Sequence, residues 1–221
     1  MSYHRHLQAF AYDTITYDFK AALCKIFGIH DIDQLHSHEL AQAEHLSHDS
    51  SSLLHSIFYS RESQLILREV YIDFLSQVVY PLLACPFYYQ VVPCIRIGMP
   101  GRKWLDRYHK DSEYNHPIQE LNINLPVSVP CKASCLRIES TPGMNDYVYL
   151  DSKYGYFTFI DHINCSHGSD VNPSQRAFLS LDFRLVPESL STEAFSDSSS
   201  VNTRTKMRPG SYFSELPLPG L

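Results

Sequence analysis

No apolar run in the 221-residue chain approaches the roughly 20 residues that a membrane-spanning helix requires. The first 20 residues mix acids with scattered polar groups, so no cleaved secretory leader is expected. Basic charge is in short supply as well. Eighteen Lys and Arg stand against 24 Asp and Glu, a net charge of −6, with no basic stripe to track a phosphate backbone. Nucleic acid is therefore not the expected partner. The six cysteines (24, 85, 94, 131, 135 and 165) do not form the dense framework of a small disulfide-stapled domain. Reduced thiols in a cytoplasmic protein are the expectation. Low charge (19%) beside 44% hydrophobic residues excludes a disordered chain, and the length suffices for one domain with a sizeable core.

Two residue classes are plentiful: 12 His, and 15 Tyr with 12 Phe. The histidines raise the question of a metal. The order of elements frames it. Residues 1–85 read as mainly helical. Asp13 can cap a helix bearing Ile15, Phe19, Leu23 and Ile26 that Gly28 stops. A second stripe of Leu67, Val70, Tyr71, Phe74, Leu75 and Val78 runs to Pro81, where the helix is expected to end. A short helix is expected from Ser51 to Tyr59.

Residues 86–187 read instead as short β-runs: Phe87 to Val92, Cys94 to Met99, Trp104 to Tyr108, Glu120 to Val127, Ser134 to Glu139, Tyr147 to Leu150, Tyr156 to Ile160 and Ala177 to Val186. Pro100-Gly101, Pro142-Gly143 and Ser152 to Gly155 punctuate them. Such spacing predicts a sandwich, a jelly roll or a closed barrel. Residues 188–221 begin Ser- and Thr-rich, as a mobile segment does, and end in a tail with Tyr212, Phe213, Leu216 and Leu218 that can dock back as a lid. A single domain overall is expected.

The chemistry concentrates in Arg107-Tyr108-His109-Lys110-Asp111-Ser112. Residues i and i+2 of a strand share a side, so His109 and Asp111 can meet one metal ion. His167, in Cys165-Ser166-His167-Gly168, is the candidate third ligand, and His162 competes with it. Two imidazoles and one carboxylate form the donor set of non-heme Fe(II) oxygenases. Arg176 follows His167 by nine residues and opens the last strand, where a cation suits the far carboxylate of a bound 2-oxoacid.

Taken in order, these runs resemble a family. Ile95-Arg96-Ile97-Gly98-Met99-Pro100-Gly101, Tyr108 to Tyr114, Glu120-Leu121-Asn122 with Leu125-Pro126-Val127, Arg137-Ile138-Glu139-Ser140 with Pro142-Gly143, His167-Gly168, and Ser180-Leu181-Asp182-Phe183-Arg184 are similar to the StrG-like branch of 2-oxoglutarate/Fe(II) dioxygenases. The match covers about residues 57–187. It implies an α+β protein: a double-stranded β-helix (jelly roll, cupin-like) with N-terminal helices packed on it. It implies Fe(II) held by His109, Asp111 and His167, 2-oxoglutarate as cosubstrate, and hydroxylation of a small polar metabolite with O2, releasing succinate and CO2. Similar sequences carry an arginine two residues before the serine of the last strand, where this chain has Phe178. Arg176 with Ser180 is the first candidate anchor for 2-oxoglutarate, and Arg184, of the same parity, is the alternative.

Glu120, Asn122 and Asn124 alternate with Leu121, Ile123 and Leu125. That polar face either meets solvent or lines a barrel pocket, and the resemblance favours the pocket. With Glu139 (or a surface ion pair there) and Tyr114, it is the candidate substrate surface; Tyr108 and His116 flank the iron motif. Carboxylates in such a face favour a substrate with a cationic or hydrogen-bond-donating group. The rivals are a non-catalytic cupin-type binding protein and a metal-dependent cupin enzyme that does not use 2-oxoglutarate. The cluster His30, His36, His38, His45, His48 and His55 has no zinc-ligand spacing and reads as a solvated helical surface. Cys131 and Cys135 read as structural thiols. Oligomeric state is not legible.

Overall fold

The computed structural model describes residues 6–42, 52–105, 107–129, 135–195, 199–201 and 204–218. His45, His48 and Cys131 lie outside them, as does part of the Ser- and Thr-rich segment. The chain begins with strand β1 (Gln8–Ala11), followed by helices α1 (Phe19–Phe27), α2 (Glu39–Gln42), α3 (Leu53–Phe58), α4 (Arg61–Phe74) and α5 (Tyr80–Leu83). Strands β2 (Phe87–Tyr89), β3 (Cys94–Gly98), β4 (Leu121–Pro126), β5 (Leu136–Glu139), β6 (Tyr147–Tyr149), β7 (Tyr156–Ile160), β8 (His167–Ser169) and β9 (Phe178–Pro187) follow, and α6 (Ser191–Ala194) succeeds them.

The strands form two antiparallel sheets. In the larger, the order is β1-β7-β4-β9-β2, with β3 also pairing with β9; in the smaller it is β6-β5-β8. An isolated antiparallel bridge between His109 and His167 extends the smaller sheet beyond β8. From β3 through the His109 bridge to β9 the chain passes back and forth between the two sheets, with only the β5–β6 hairpin staying in one, which is the winding of a double-stranded β-helix.

Period-two alternation explains both faces of β9. Leu179, Leu181, Phe183 and Leu185 join the large core beneath the helices, whereas Phe178, Ser180, Asp182 and Arg184 point into the barrel. β3 and β4 divide likewise: Ile95, Ile123 and Leu125 enter the helical core, leaving Arg96, Asn122 and Asn124 for the interior. α1 and α4 seal the outer face of the large sheet. Fully buried Phe74 from α4 meets Phe19 at 5.4 Å, Phe157 at 5.2 Å and Phe183 at 6.3 Å between ring centroids, tying helices to sheet. Truncating such a residue typically costs 3–5 kcal/mol.

Several local readings shift. The N-terminal region opens with a strand, since Gln8–Ala11 pairs with β7. α1 starts at Phe19 because Asp18, not Asp13, accepts from the Ala21 N–H; Asp13 holds a turn through Ile15 and Thr16 instead. Gly28 does end the helix, at φ +67°. α4 does not stop before Pro81. It widens into a π-turn over Leu75–Val79 and continues as α5 with Pro81 in the first turn, where its missing N–H is tolerated. Of the run Trp104 to Tyr108, the described residues Trp104, Leu105, Arg107 and Tyr108 form no strand; the single bridge at His109 stands in its place. The tail docks along β2: Val91 N–H donates to Tyr212 O (3.0 Å), Ser214 N–H to Tyr89 O (2.8 Å) and Leu218 N–H to Phe87 O (2.8 Å). Phe213, fully buried, packs with Val186 and Ala194.

Candidate metal centre

His109 and His167 face each other across the two sheet rungs they share. His109 N–H donates to His167 O at 3.0 Å, and His167 N–H to His109 O at 2.9 Å. Past Lys110 the chain turns into a short 3-10 segment, Asp111–Tyr114, and Asp111 N–H donates to His162 O at 2.8 Å. Gly168 is what lets the rungs close. A Cβ there would lie 2.9 Å from the Tyr108 ring, so the ring rests on bare backbone beside both histidines.

His109, Asp111 and His167 bring one ligand atom each within 4.8 Å of one another, and among the described residues they are the only such cluster of His, Cys, Asp or Glu. Asp111 Oδ1 lies 3.8 Å from His109 Nε2 and 3.5 Å from His167 Nε2. Both rings are oriented by their other nitrogen. His109 Nδ1 sits 3.0 Å from Arg107 O, and His167 Nδ1 sits 3.1 Å from Cys165 O. A carbonyl can only accept, so each Nδ1 carries a proton, and in the neutral ring each Nε2 is then the ligating atom turned toward Asp111. Burial, with the neighbouring His167, pushes the His109 pKa down and keeps the imidazole neutral. The donor chemistry therefore fits a mononuclear divalent transition metal.

Arg184, from β9, completes the group. Its Nη2 donates to Asp111 Oδ2 at 2.7 Å, both side chains being almost fully buried. Burial alone would raise the Asp111 pKa, but the Arg184 charge holds it well below the usual carboxylate range. His162 stacks on His167, 3.9 Å between ring centroids at 12°, and its Nδ1 lies 2.7 Å from the Asn122 amide. It thus backs the third histidine and is absent from the convergent cluster. Asn122 Oδ1, Asn124 Oδ1, His162 Nε2 and Arg184 Nε are buried without hydrogen-bond partners among the described residues, a concentration expected at a functional site rather than in a packed core.

A cavity of about 960 Å³ opens beside His109 and Asp111. Tyr114, His116, Arg96, Arg107, Arg184 and Tyr212 are among its lining residues. Arg96 extends from β3 to Asp182 Oδ2 at 2.9 Å, and Asn124 donates to Asp182 Oδ1 at 2.7 Å and Ser180 Oγ at 3.2 Å. Below that layer the barrel is apolar: Phe178 packs against Trp104, 5.6 Å between ring centroids, over Gly98.

The residues expected at the site are distributed unevenly. Tyr114 stands beside His109, 5.0 Å between ring centroids. Asn122 and Asn124 face inward but bind His162, Ser180 and Asp182. Glu120 is held by His116 Nδ1 at 2.9 Å. Glu139 is nearly inaccessible, and its carboxylate accepts from the backbone N–H groups of Gly143, Asn145 and Ser166 at 2.8–3.1 Å. It organises a turn, and those donors lower its pKa, the Ser166 N–H most. Neither glutamate lines the cavity. Arg176 does not reach inward: β9 begins only at Phe178, and Arg176 is exposed in the preceding turn, its carbonyl bound by Asn172 and Ser174. Arg96 and Tyr212 were missed. Arg96 had a signal, as a charged residue alternating with Ile95 and Ile97; Tyr212 had none, since only the docking of the tail brings it to the cavity.

Strand order and donor set together describe a double-stranded β-helix carrying a two-histidine, one-carboxylate cluster, the donor set that suits a non-heme iron. No family model matches the chain. Among curated proteins it is similar to the streptomycin biosynthesis protein StrG of Streptomyces griseus, 27% identical over 126 residues, covering 57% of this chain and 59% of that protein. The chain thus spans about three fifths of the length of this relative. Among solved structures it is similar to the non-heme monooxygenase ThoJ in complex with nickel (14% identity, 91% of this chain and 84% of that one, TM-score 0.46). It is also similar to AviO1 from Streptomyces viridochromogenes (17% identity, 59% and 62% covered, TM-score 0.41).

Proposed function

We propose that this chain is an Fe(II)- and 2-oxoglutarate-dependent oxygenase that hydroxylates a small polar molecule, consuming O2 and releasing succinate and CO2. The observation that carries the reading is the convergence of the Nε2 atoms of His109 and His167 on one oxygen of Asp111 beside a large cavity. Iron held by His109, Asp111 and His167 would supply the oxygen-activating redox chemistry that no side chain provides. The name of the curated relative places that protein in streptomycin biosynthesis, and a small polar metabolite suits a cavity of this polarity.

The protein's own part is orientation and shielding. The carbonyls of Arg107 and Cys165 aim the imidazoles, Arg184 fixes the remaining oxygen of Asp111, and His162 supports His167 from behind. 2-Oxoglutarate ends in a carboxylate that is costly to desolvate without a partner. Both cavity-wall guanidiniums are ion-paired, Arg184 with the metal-facing Asp111 and Arg96 with Asp182; Arg96 is cross-strand from Ser180 and is the one we assign to this carboxylate.

A second reading, a metal-dependent oxidase that needs no 2-oxoglutarate, is favoured by Phe178. That residue fills the place where similar sequences carry the anchoring arginine, and Trp104 seals it. Release of CO2 from 2-oxoglutarate discriminates. Turnover that requires Fe(II), is lost in Asp111→Ala and falls with Arg96→Gln supports the first reading; oxidation of substrate without 2-oxoglutarate supports the second.

A further inference from the structure

We infer that the substrate carries an oxyanion, a phosphate or carboxylate, held at the cavity mouth by Arg107; which molecule counts as substrate rests on the oxygenase reading above. Three guanidiniums, those of Arg96, Arg107 and Arg184, line the cavity, and among its described lining residues the only carboxylate is Asp111. Both oxygens of Asp111 are engaged, one by Arg184 and one facing the histidines. The acids that suggested a cationic substrate are spent elsewhere, Glu120 on His116 and Glu139 on three backbone donors. With Arg184 paired to Asp111 and Arg96 to Asp182, the charge least offset in the lining is that of Arg107, which repels a cationic ligand and attracts an anion.

The three arginines differ in their commitments. Arg184 holds Asp111, and Arg96 is bound by Asp182 at 2.9 Å and is the guanidinium nearest in role to the cosubstrate. Arg107 donates from Nη2 and Nε to the phenol oxygen of Tyr114 at 2.9 and 3.3 Å, a neutral acceptor. Its nearest described carboxylate, Glu113, is at 3.8 Å, and both side chains are about half or more exposed (67% and 49%). The same Tyr114 ring packs edge-on against His109, so the phenol fixes a guanidinium on the metal side of the mouth. Ser200, Thr205 and Ser211 bring hydroxyl-bearing side chains to the same lining. A fork of N–H donors beside hydroxyls is the chemistry that recognises phosphate and carboxylate.

The test uses sodium phosphate and sodium acetate as probes, titrated calorimetrically at constant ionic strength. They are added to the protein alone and to the protein holding Zn(II) and 2-oxoglutarate. Wild type should bind at least one anion saturably in both states, and the tighter of the two identifies the group. Arg107→Gln should weaken that binding about tenfold or more, Arg107→Lys should retain part of it, and Lys25→Gln, which removes an exposed cation from α1, should change nothing. No saturable binding of either anion, or equal binding by Arg107→Gln, overturns the inference. Separate Zn(II) and 2-oxoglutarate titrations keep the two readings apart. Their failure in wild type would sink the oxygenase reading, while the anion titration of the protein alone would still report on Arg107.

Discussion

Arg184 and Asp111 form a buried ion pair at 2.7 Å that uses one carboxylate oxygen, Oδ2, and leaves Oδ1 facing the Nε2 atoms of His109 and His167 at 3.8 and 3.5 Å. Removing either partner strands a charge in the barrel, at a cost of about 3–5 kcal/mol. Arg184→Leu should therefore destabilise the metal-free protein by that order in urea unfolding. Asp111→Leu in the same background should recover much of the loss. A double-mutant cycle showing no coupling between the two positions would contradict the pairing.

The ligand assignment separates His167 from His162. Losing one of three bonds should weaken Zn(II) or Fe(II) binding by two orders of magnitude or more in each of His109→Ala, Asp111→Ala and His167→Ala. His162→Ala removes a ring stacked on His167 and should cost about tenfold. Dialysis competition with a chelator reads both. A metal-free His162→Ala beside a metal-replete His167→Ala would reverse the assignment.

How much of this was legible in the sequence follows from how local each signal is. His109 and Asp111 are two residues apart, so spacing paired them, whereas the choice of His167 over His162 as third ligand came from the family resemblance. Inward and outward faces of β4 and β9 could be read from period two. Parity could not say where β9 begins, and Arg176 fell outside it because Asn172 and Ser174 bind its carbonyl in a turn. Nor could it say what an inward polar group meets. Glu139 looked like a pocket acid and is a turn clamp, because the N–H groups of Gly143 and Asn145 come round to it. Strand β1 was hidden because four residues pair with β7 only through tertiary contact.

Gly168 carries a steric prediction. Gly168→Ala would push a methyl into the Tyr108 ring, with contacts of 2.9 Å that must open. The expected loss is about 1–3 kcal/mol of stability, accompanied by weaker metal binding because the His109–His167 rungs separate. Tyr108→Ala in the same chain should relieve the clash. Unchanged stability and metal affinity in Gly168→Ala would show that the ring moves freely.

His55 predicts a pH dependence away from the metal. It is buried, its Nδ1 lies 2.7 Å from Ser52 Oγ, and burial followed by the Arg96 charge lowers its pKa to about 4. In the unfolded chain it titrates near 6.5, so between those values the unfolded state binds more protons. Stability is thus full above about pH 6.5 and falls as the pH drops toward 4, by roughly 2–3 kcal/mol from this residue. Urea unfolding of wild type and His55→Asn at pH 7 and pH 4.5 should show a smaller loss in the variant. Equal losses would remove His55 as the cause.

The central claim is tested most directly by anaerobic titration of the Fe(II)-loaded protein with 2-oxoglutarate, followed by visible absorption. Chelation of iron by the 2-oxo and adjacent carboxylate oxygens gives a metal-to-ligand charge-transfer band. The account predicts a band that saturates at one equivalent, is abolished by Asp111→Ala, requires more 2-oxoglutarate in Arg96→Gln, and is unmoved by substitution of Arg176. Iron that binds at His109, Asp111 and His167 but gives no band at any 2-oxoglutarate concentration would contradict it.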